Sequence, residues 1–390
     1  MKKNNYTVIH IIQFFEPNQG YEEDLLSIYQ AKEGNKVFIL TSSILPGREG
    51  RSFKSRIQWP RIEINNQRYI IRLPAILLPS KASFLIGASF FLIFKKFDYL
   101  HIHGLLNPLG FIYTLITNFK KGKVITDNHD FVYSTHQLAY SGNNIYKKIR
   151  KLEFEIFRRF TGIFQLLLSD SVIGYEKVCK DFLIDFYKYK GKINQFTIGY
   201  DSNIFYPDCK STSSKQKINL GFVGQLSKRK RPDLLLRILS NLPCNYNLII
   251  IGSWDKKCLQ EFNLLIKYYG LIDQVNIMGG ILYKDLPKYI NKLDLGIYLN
   301  SSSISCQQIL GCGIPLLINN NQQFASSADF YGSALNFKNE KDMINNSTNW
   351  ILKDLKNYPK LNRDSALHSI IIENLSFNKT YIDLKKYIYC

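Results

Sequence analysis

The sequence predicts an α/β protein of two domains, each a parallel sheet doubly wound by helices. Three observations carry that expectation. Short apolar runs alternate with helix-length segments along both halves of the 390 residues, and strands so separated are joined by right-handed crossovers and lie parallel. A polar Ser/Lys-rich stretch at 210–217 divides the halves. Near the C-terminal third, the apolar run 293–299 leads into a loop holding Ser301, Ser302, Ser303 and Ser305, a helix start, and a Gly313-Ile314-Pro315 turn into apolar 316–318. Small residues there bring backbone N–H groups up to a crevice at strand ends, where phosphate-bearing ligands sit in open α/β sheets.

The elements follow in order. Residues 8–12 form a short apolar strand, and a loop at 18–21 opens a helix over 22–34. Further strands are expected at 36–40, 99–103 and 123–127. After the linker come a strand at 218–223 and an amphipathic helix at 231–242, with Pro232 in the first turn where proline is tolerated. Strands at 248–251, 275–278 and 293–299 then alternate with helices at 256–269 and 284–292. The pattern gives an N-terminal Rossmann-like domain at 1–200, a linker at 201–217, a second Rossmann-like domain at 218–370, and a helix at 371–390 packing back on the first domain. The expected ligand position is a cleft between the domains, at strand C-termini.

Composition narrows the partners. Lys and Arg outnumber Asp and Glu by 51 to 31, a formal charge of +20, which suits an anionic membrane face or a phosphorylated ligand as well as it suits plain solubility. The charge is clumped at 120–123, 147–151, 158–159 and 228–231. No zinc-finger spacing, basic-zipper heptad or RNA-binding signature accompanies it, so nucleic acid is not expected. Seven scattered cysteines form neither a disulfide framework nor a metal-binding pair, and reduced thiols are the default. The opening residues lead straight into a strand-like run without a signal-peptide h-region, and a cytoplasmic setting is expected. The most apolar stretch, 82–94, is too short to span a bilayer. It reads as a buried or half-buried helix, although lysines on both sides also suit a helix resting on a membrane.

Specific motifs then resemble a known family. The segments Phe15-Glu16-Pro17-Asn18-Gln19-Gly20-Tyr21, Gly34-Asn35-Lys36-Val37, Asp98-Tyr99-Leu100-His101-Ile102-His103, Gly199-Tyr200-Asp201 with Phe205-Tyr206-Pro207, Phe222-Val223-Gly224-Gln225-Leu226 with Lys230, and Gly313-Ile314-Pro315 fall in the order and spacing of the retaining family 4 nucleotide-sugar glycosyltransferases. That resemblance implies the GT-B architecture of two facing Rossmann-like domains. It implies a nucleotide-diphosphate sugar as donor substrate, with no further cofactor and no bound metal.

The resemblance also assigns roles. Lys230 matches the lysine that contacts the donor diphosphate, and a positioned cation suits the charge that builds on this leaving group. The alternative is a solvated member of the basic run. Gly20 matches the glycine that lets the N-terminal loop approach the phosphates, a plain turn being the alternative. His129, at the end of the 123–127 strand, matches a histidine facing the donor sugar; a structural role is the alternative. Of His101 and His103, one is expected to pack in the core and neither is read as a ligand. Ser302, Ser303 and Ile304 stand at donor-binding positions. The family's two glutamates fall on Asn300 and Gln308, and its diphosphate-binding arginine falls on Gln225. These replacements keep hydrogen bonds but lose charge, with Lys228, Arg229 and Arg231 nearby to supply it. The resemblance therefore implies transfer of a hexose-type sugar, with retention, to a carbohydrate or lipid-linked acceptor in surface polysaccharide, capsule or lipopolysaccharide synthesis. The alternative is a catalytically impaired relative acting as a binding or scaffolding subunit. A basic segment at 146–160 with apolar residues at 149, 152, 156 and 160 adds an expected peripheral contact with anionic membrane.

Overall fold

The computed structural model describes residues 5–45, 56–78, 83–105, 107–129, 145, 148–149, 152, 159–208 and 217–389. Its residues divide into two compact units. The described residues up to 197 and those from 381 to 389 form the first, and the described residues from 198 to 380 form the second.

The first unit is built on strands β1 (Thr7–Ile12), β2 (Lys36–Ser42), β5 (Ile62–Asn65), β6 (Arg68–Leu73), β9 (Tyr99–His103), β10 (Lys123–Asn128), β11 (Ser171–Tyr175) and β12 (Ile193–Phe196), with short hairpins β3 (Ile44–Leu45)–β4 (Arg56–Ile57) and β7 (Ala75–Leu77)–β8 (Ser83–Leu85). The eight strands run in the order β12-β11-β10-β9-β1-β2-β6-β5. All pairings are parallel except β5 with β6. Burial follows position: β1 is buried along nearly its whole length, whereas β6, next to the edge, alternates, as expected for a central parallel strand and an outer one.

The second unit carries β13 (Ile218–Val223), β14 (Tyr246–Ile251), β15 (Val275–Met278), β16 (Leu295–Tyr298), β17 (Leu316–Asn319) and β18 (Gly332–Leu335). Their order is β15-β14-β13-β16-β17-β18, all parallel. Chain direction across the sheet reverses between β13 and β16, and in the first sheet between β1 and β9. Those switch points are where open α/β sheets bind ligands.

Local chemistry fixes the helix starts. Asp255, Asn339 and Ser365 each accept a hydrogen bond from a backbone N–H in the first turn of Lys256–Tyr268, Glu340–Lys353 and Ala366–Leu375. One expectation is corrected. The apolar stretch read as a single helix over 82–94 contains a strand at Ser83–Leu85, then Gly87 at φ 90°, then a helix at Ala88–Phe94. Glycine takes that left-handed conformation without steric cost, so the run breaks there. The helix half-buries as expected: Leu92 is buried, while Phe90 and Phe94 face solvent.

Candidate functional site

In the second unit the site is built at the ends of β13 and β16. The Tyr298 hydroxyl donates to the Val223 carbonyl at 2.8 Å, and Ser305 Oγ donates to the same oxygen at 2.7 Å. The backbone N–H of Val223 donates back to the Tyr298 oxygen at 3.2 Å, and Ser303 Oγ lies 2.6 Å from Ser305 Oγ. This buried lattice ties the strand ends at the switch point and sets the serine loop beside Gly224. Gly252, at the end of neighbouring β14, must be glycine: a Cβ there would fall 2.0 Å from the Gly224 carbonyl oxygen.

Lys230 sits on the single turn Lys228–Lys230 that follows β13. Its ammonium lies 5.5 Å from the centroid of the Phe222 ring, and a Cβ on Gly224 would come within 3.4 Å of Nζ and 3.6 Å of Ser303 Oγ. Gly224 therefore leaves open the space the ammonium borders. The side chain is half-buried and, among the described residues, has no hydrogen-bond or ion-pair partner. Burial, with the Arg229 charge beside it, pulls its pKa down to about 8.

Of the flanking basic residues, Arg231 has other employment. Arg231 closes the turn at φ 51° and pairs with Asp233 and Glu340 at 2.7 Å each, while Arg237 meets the other Glu340 oxygen. Arg231 is thus held by carboxylates and does not make good the charge missing at Gln225, which is half-buried. Asn300 Nδ2 donates to the Arg229 carbonyl at 2.6 Å, anchoring the loop that carries Lys230. Ser302 is engaged through its N–H with Gln322 and its Oγ with the Phe324 N–H. The Ile304 carbonyl accepts from the N–H groups of Gln307 and Gln308, and the Gln308 side chain is buried in the helix Ser305–Gly311.

In the first unit, Gly20 adopts φ 67°, and its N–H and that of Gln19 point at Asp24 Oδ2 at 3.4 and 3.1 Å. The other Asp24 oxygen pairs with Arg68 at 2.7 Å, both side chains buried. The loop is therefore braced from within.

His129 is placed at the end of β10 and is the exposed member of a buried cluster. Strand register makes the cluster. Parallel pairing sets His10 opposite His101 and His103 opposite Asp127, and residues two apart on a strand share a face. The cluster occupies that face, while Ile9, Ile11, Leu100, Ile102 and Val124 form an apolar core on the other. His129 Nε2 lies 3.2 Å from Glu22 Oε2 and 3.4 Å from Asp127 Oδ1, with its ring stacked on Tyr175 at 4.6 Å. His103 Nδ1 is 2.7 Å from Asp127 Oδ2, and His101 Nε2 is 3.0 Å from the same oxygen. His103 Nε2 meets His10 Nδ1 at 2.9 Å, and His10 Nε2 meets Gln30 at 2.7 Å.

Burial pulls the His129 pKa down, but the Asp127 and Glu22 carboxylates outweigh it and leave that pKa well above the ordinary value. Burial pushes Asp127 up, and its histidine neighbours outweigh that too, holding it well below the carboxylate range. His10, buried and next to His103 and His101, stays far below the ordinary histidine value. Sequence reasoning singled out only His129 here. Glu22, Asp127 and His10 were missed, although the alternation of histidines in 99–103 and the Asp-x-His at 127–129 were visible signals.

Residues 208–366 match the family model described as Glycosyl transferases group 1. No curated protein sequence matches the chain. Among solved structures, sucrose-phosphate synthase from Thermosynechococcus elongatus superposes with TM-score 0.70 at 14% identity, covering 98% of each chain. HepE from Anabaena, in complex with UDP, gives 0.69 at 12% identity over 98% of this chain and 99% of its own. The lipopolysaccharide outer core galactosyltransferase WaaB, in its apo form, gives 0.63 at 11% identity over 98% and 99%. At such identities the likeness shows the fold. The chain has the GT-B fold of two Rossmann-like units, and its second unit is similar in sequence to group 1 glycosyl transferases.

Proposed function

We propose that the protein is a glycosyltransferase that takes a sugar from a nucleotide-diphosphate donor and passes it to a carbohydrate or lipid-linked acceptor with retention of configuration. The observation that carries this reading is Lys230: a half-buried ammonium without a partner among the described residues, beside a glycine at a topological switch point. Its one described contact is the face of the Phe222 ring, which leaves its charge without a counter-ion among the described residues. It suits a diphosphate whose charge grows as the sugar leaves. Solved relatives in complex with UDP and with UDP-glucose support that choice of donor.

Ser302, Ser303, Ile304 and Gln308 would line the nucleoside and phosphate side, and Gly20 the phosphate approach. His129 would present its Nδ1 edge to a sugar hydroxyl, since Nε2 is taken by carboxylates. The departing diphosphate itself would take the acceptor proton on the same face of the sugar, so no protein nucleophile is needed. A thermal-shift screen against sugar nucleotides tests the reading. One ligand should raise Tm, and Lys230→Ala should abolish most of the rise. No stabilising sugar nucleotide, or an unchanged rise in the variant, would count against it.

A second reading, an impaired relative acting as a binding subunit, is favoured by Asn300, whose amide is spent on the Arg229 carbonyl. Binding of a sugar nucleotide without transfer or hydrolysis would select it. For the acceptor side, the exposed Phe90, Phe94 and Phe119 and the exposed Ile149, Leu152 and Phe160 suit a peripheral membrane contact at the cytoplasmic face. The rest of the 146–160 segment, apart from residues 148 and 159, lies outside the described residues. No described helix is long and apolar enough to cross a membrane. Salt-sensitive co-sedimentation with anionic vesicles is the expected result.

A further inference from the structure

We propose that Glu22, His103, Asp127 and His129 form a binding site for one divalent transition-metal ion of the zinc class. Each offers one ligand atom, and all four atoms lie within 4.8 Å of one another. Four ligands at metal distances of about 2.1 Å in a tetrahedron stand ~3.4 Å apart. Separations of 3.2 Å for His129 to Glu22, 3.8 Å for His103 to Glu22 and 2.7 Å for His103 to Asp127 Oδ2 bracket that value, while His129 stands 3.4 Å from the other Asp127 oxygen, Oδ1.

The second observation is independent of these distances. Glu22 Oε2, His103 Nδ1 and Asp127 Oδ2 are all buried, and none has an aligned hydrogen-bond partner. The 2.7 Å contact between His103 and Asp127 is close enough for a hydrogen bond but misdirected for one. Two carboxylate oxygens and a ring nitrogen therefore converge on charge alone, without an aligned hydrogen bond between them. Buried polar atoms left so are costly, and a cation among them removes the cost.

Meanwhile the opposite side of each buried ligand is firmly held. Glu22 Oε1 accepts from the Tyr175 hydroxyl at 2.5 Å, Asp127 Oδ1 accepts from the Gly104 N–H at 2.9 Å, and His103 Nε2 is 2.9 Å from His10, itself fixed by Gln30. Outer partners of this kind fix the rotamer and tautomer of metal ligands. Charge agrees as well: a dication that displaces the imidazole protons meets two carboxylates carrying −2, which it balances. The mixed N2O2 set suits zinc or manganese, with zinc favoured by the imidazoles. His129, with 32% of its side chain exposed, is the edge through which the ion would enter. The site does not depend on the proposed transfer activity, so its test reads metal and not turnover.

The full-length chain, stripped with chelator and dialysed, is titrated with cobalt(II) and then zinc. Expected are one cobalt per chain with the visible bands of a four- or five-coordinate ion, displacement by zinc, and a rise in Tm. His129→Ala, at the exposed position, should stay folded by circular dichroism and lose zinc affinity by at least about a hundredfold. Tyr175→Phe, which removes only an outer partner, should lose about tenfold. Failure of the folded wild-type chain to take up cobalt or zinc overturns the proposal. So does wild-type affinity in His129→Ala.

Discussion

Asn300 donates its amide N–H to the carbonyl of Arg229 at 2.6 Å, so a residue in the loop just after β16 holds the turn that carries Lys230. A carboxylate at this position has no proton to give at neutral pH and would meet the carbonyl oxygen with like polarity.

Asn300→Asp should therefore release the turn while leaving the sheet intact. We expect a stability loss of about 1–2 kcal/mol and at least a fivefold weaker affinity for the stabilising sugar nucleotide, read by calorimetry. Equal affinity would show that Lys230 is held by other means.

The depressed pKa of Lys230 gives a pH signature with two opposite slopes. In the unfolded chain a lysine titrates near ~10.4, and in the folded chain this one titrates at about 8. Between those values the unfolded state binds more protons, so this group makes stability rise with pH. Diphosphate binding needs the protonated form and should weaken as pH climbs through about 8. Lys230→Met should flatten the affinity profile. Parallel profiles in both proteins would remove the ammonium from the site.

Arg68 tests the brace behind Gly20. Its guanidinium contacts Asp24, Ser27 and Asn65 with no exposure to solvent. Arg68→Ala leaves a buried carboxylate unpaired and should cost about 3–5 kcal/mol, measured by urea denaturation. A loss below 1 kcal/mol, on the scale of an exposed pair, would contradict the burial.

Gly252→Ala tests the close approach of β14 to β13. A methyl group would overlap the Gly224 carbonyl, and φ is 149°. We expect a loss of about 3 kcal/mol or more and weakened nucleotide binding, because Gly224 borders the Lys230 ammonium. Wild-type stability would mean that the two strand ends part more easily than their packing implies.

Much of this was legible before any coordinates. Apolar runs at 8–12, 36–40, 218–223 and 248–251 became parallel strands, because burial on both faces demands continuous apolar sequence. The strands at Ile62–Asn65 and Arg68–Leu73 escaped the reading. They alternate like a half-exposed pair and contain Arg68, whose burial depends on a carboxylate 44 positions earlier. The break at Gly87 escaped too, since a glycine inside an apolar run does not announce its sign of φ.

Local pattern alone determined that there would be two doubly wound sheets and that Gly224 would follow a strand, while the family resemblance picked out Lys230 and Asn300 in the loops beyond. Tertiary structure decided the rest. It chose the register that brings His10 to His101 and His103 to Asp127, and it gave Arg231 to Glu340, a residue 109 positions away. Hydrophobic periodicity is written over a few neighbouring residues and survives in the sequence. Register and ion pairing are settled by the packing of elements far apart along the chain, and only the folded protein brings those elements into contact.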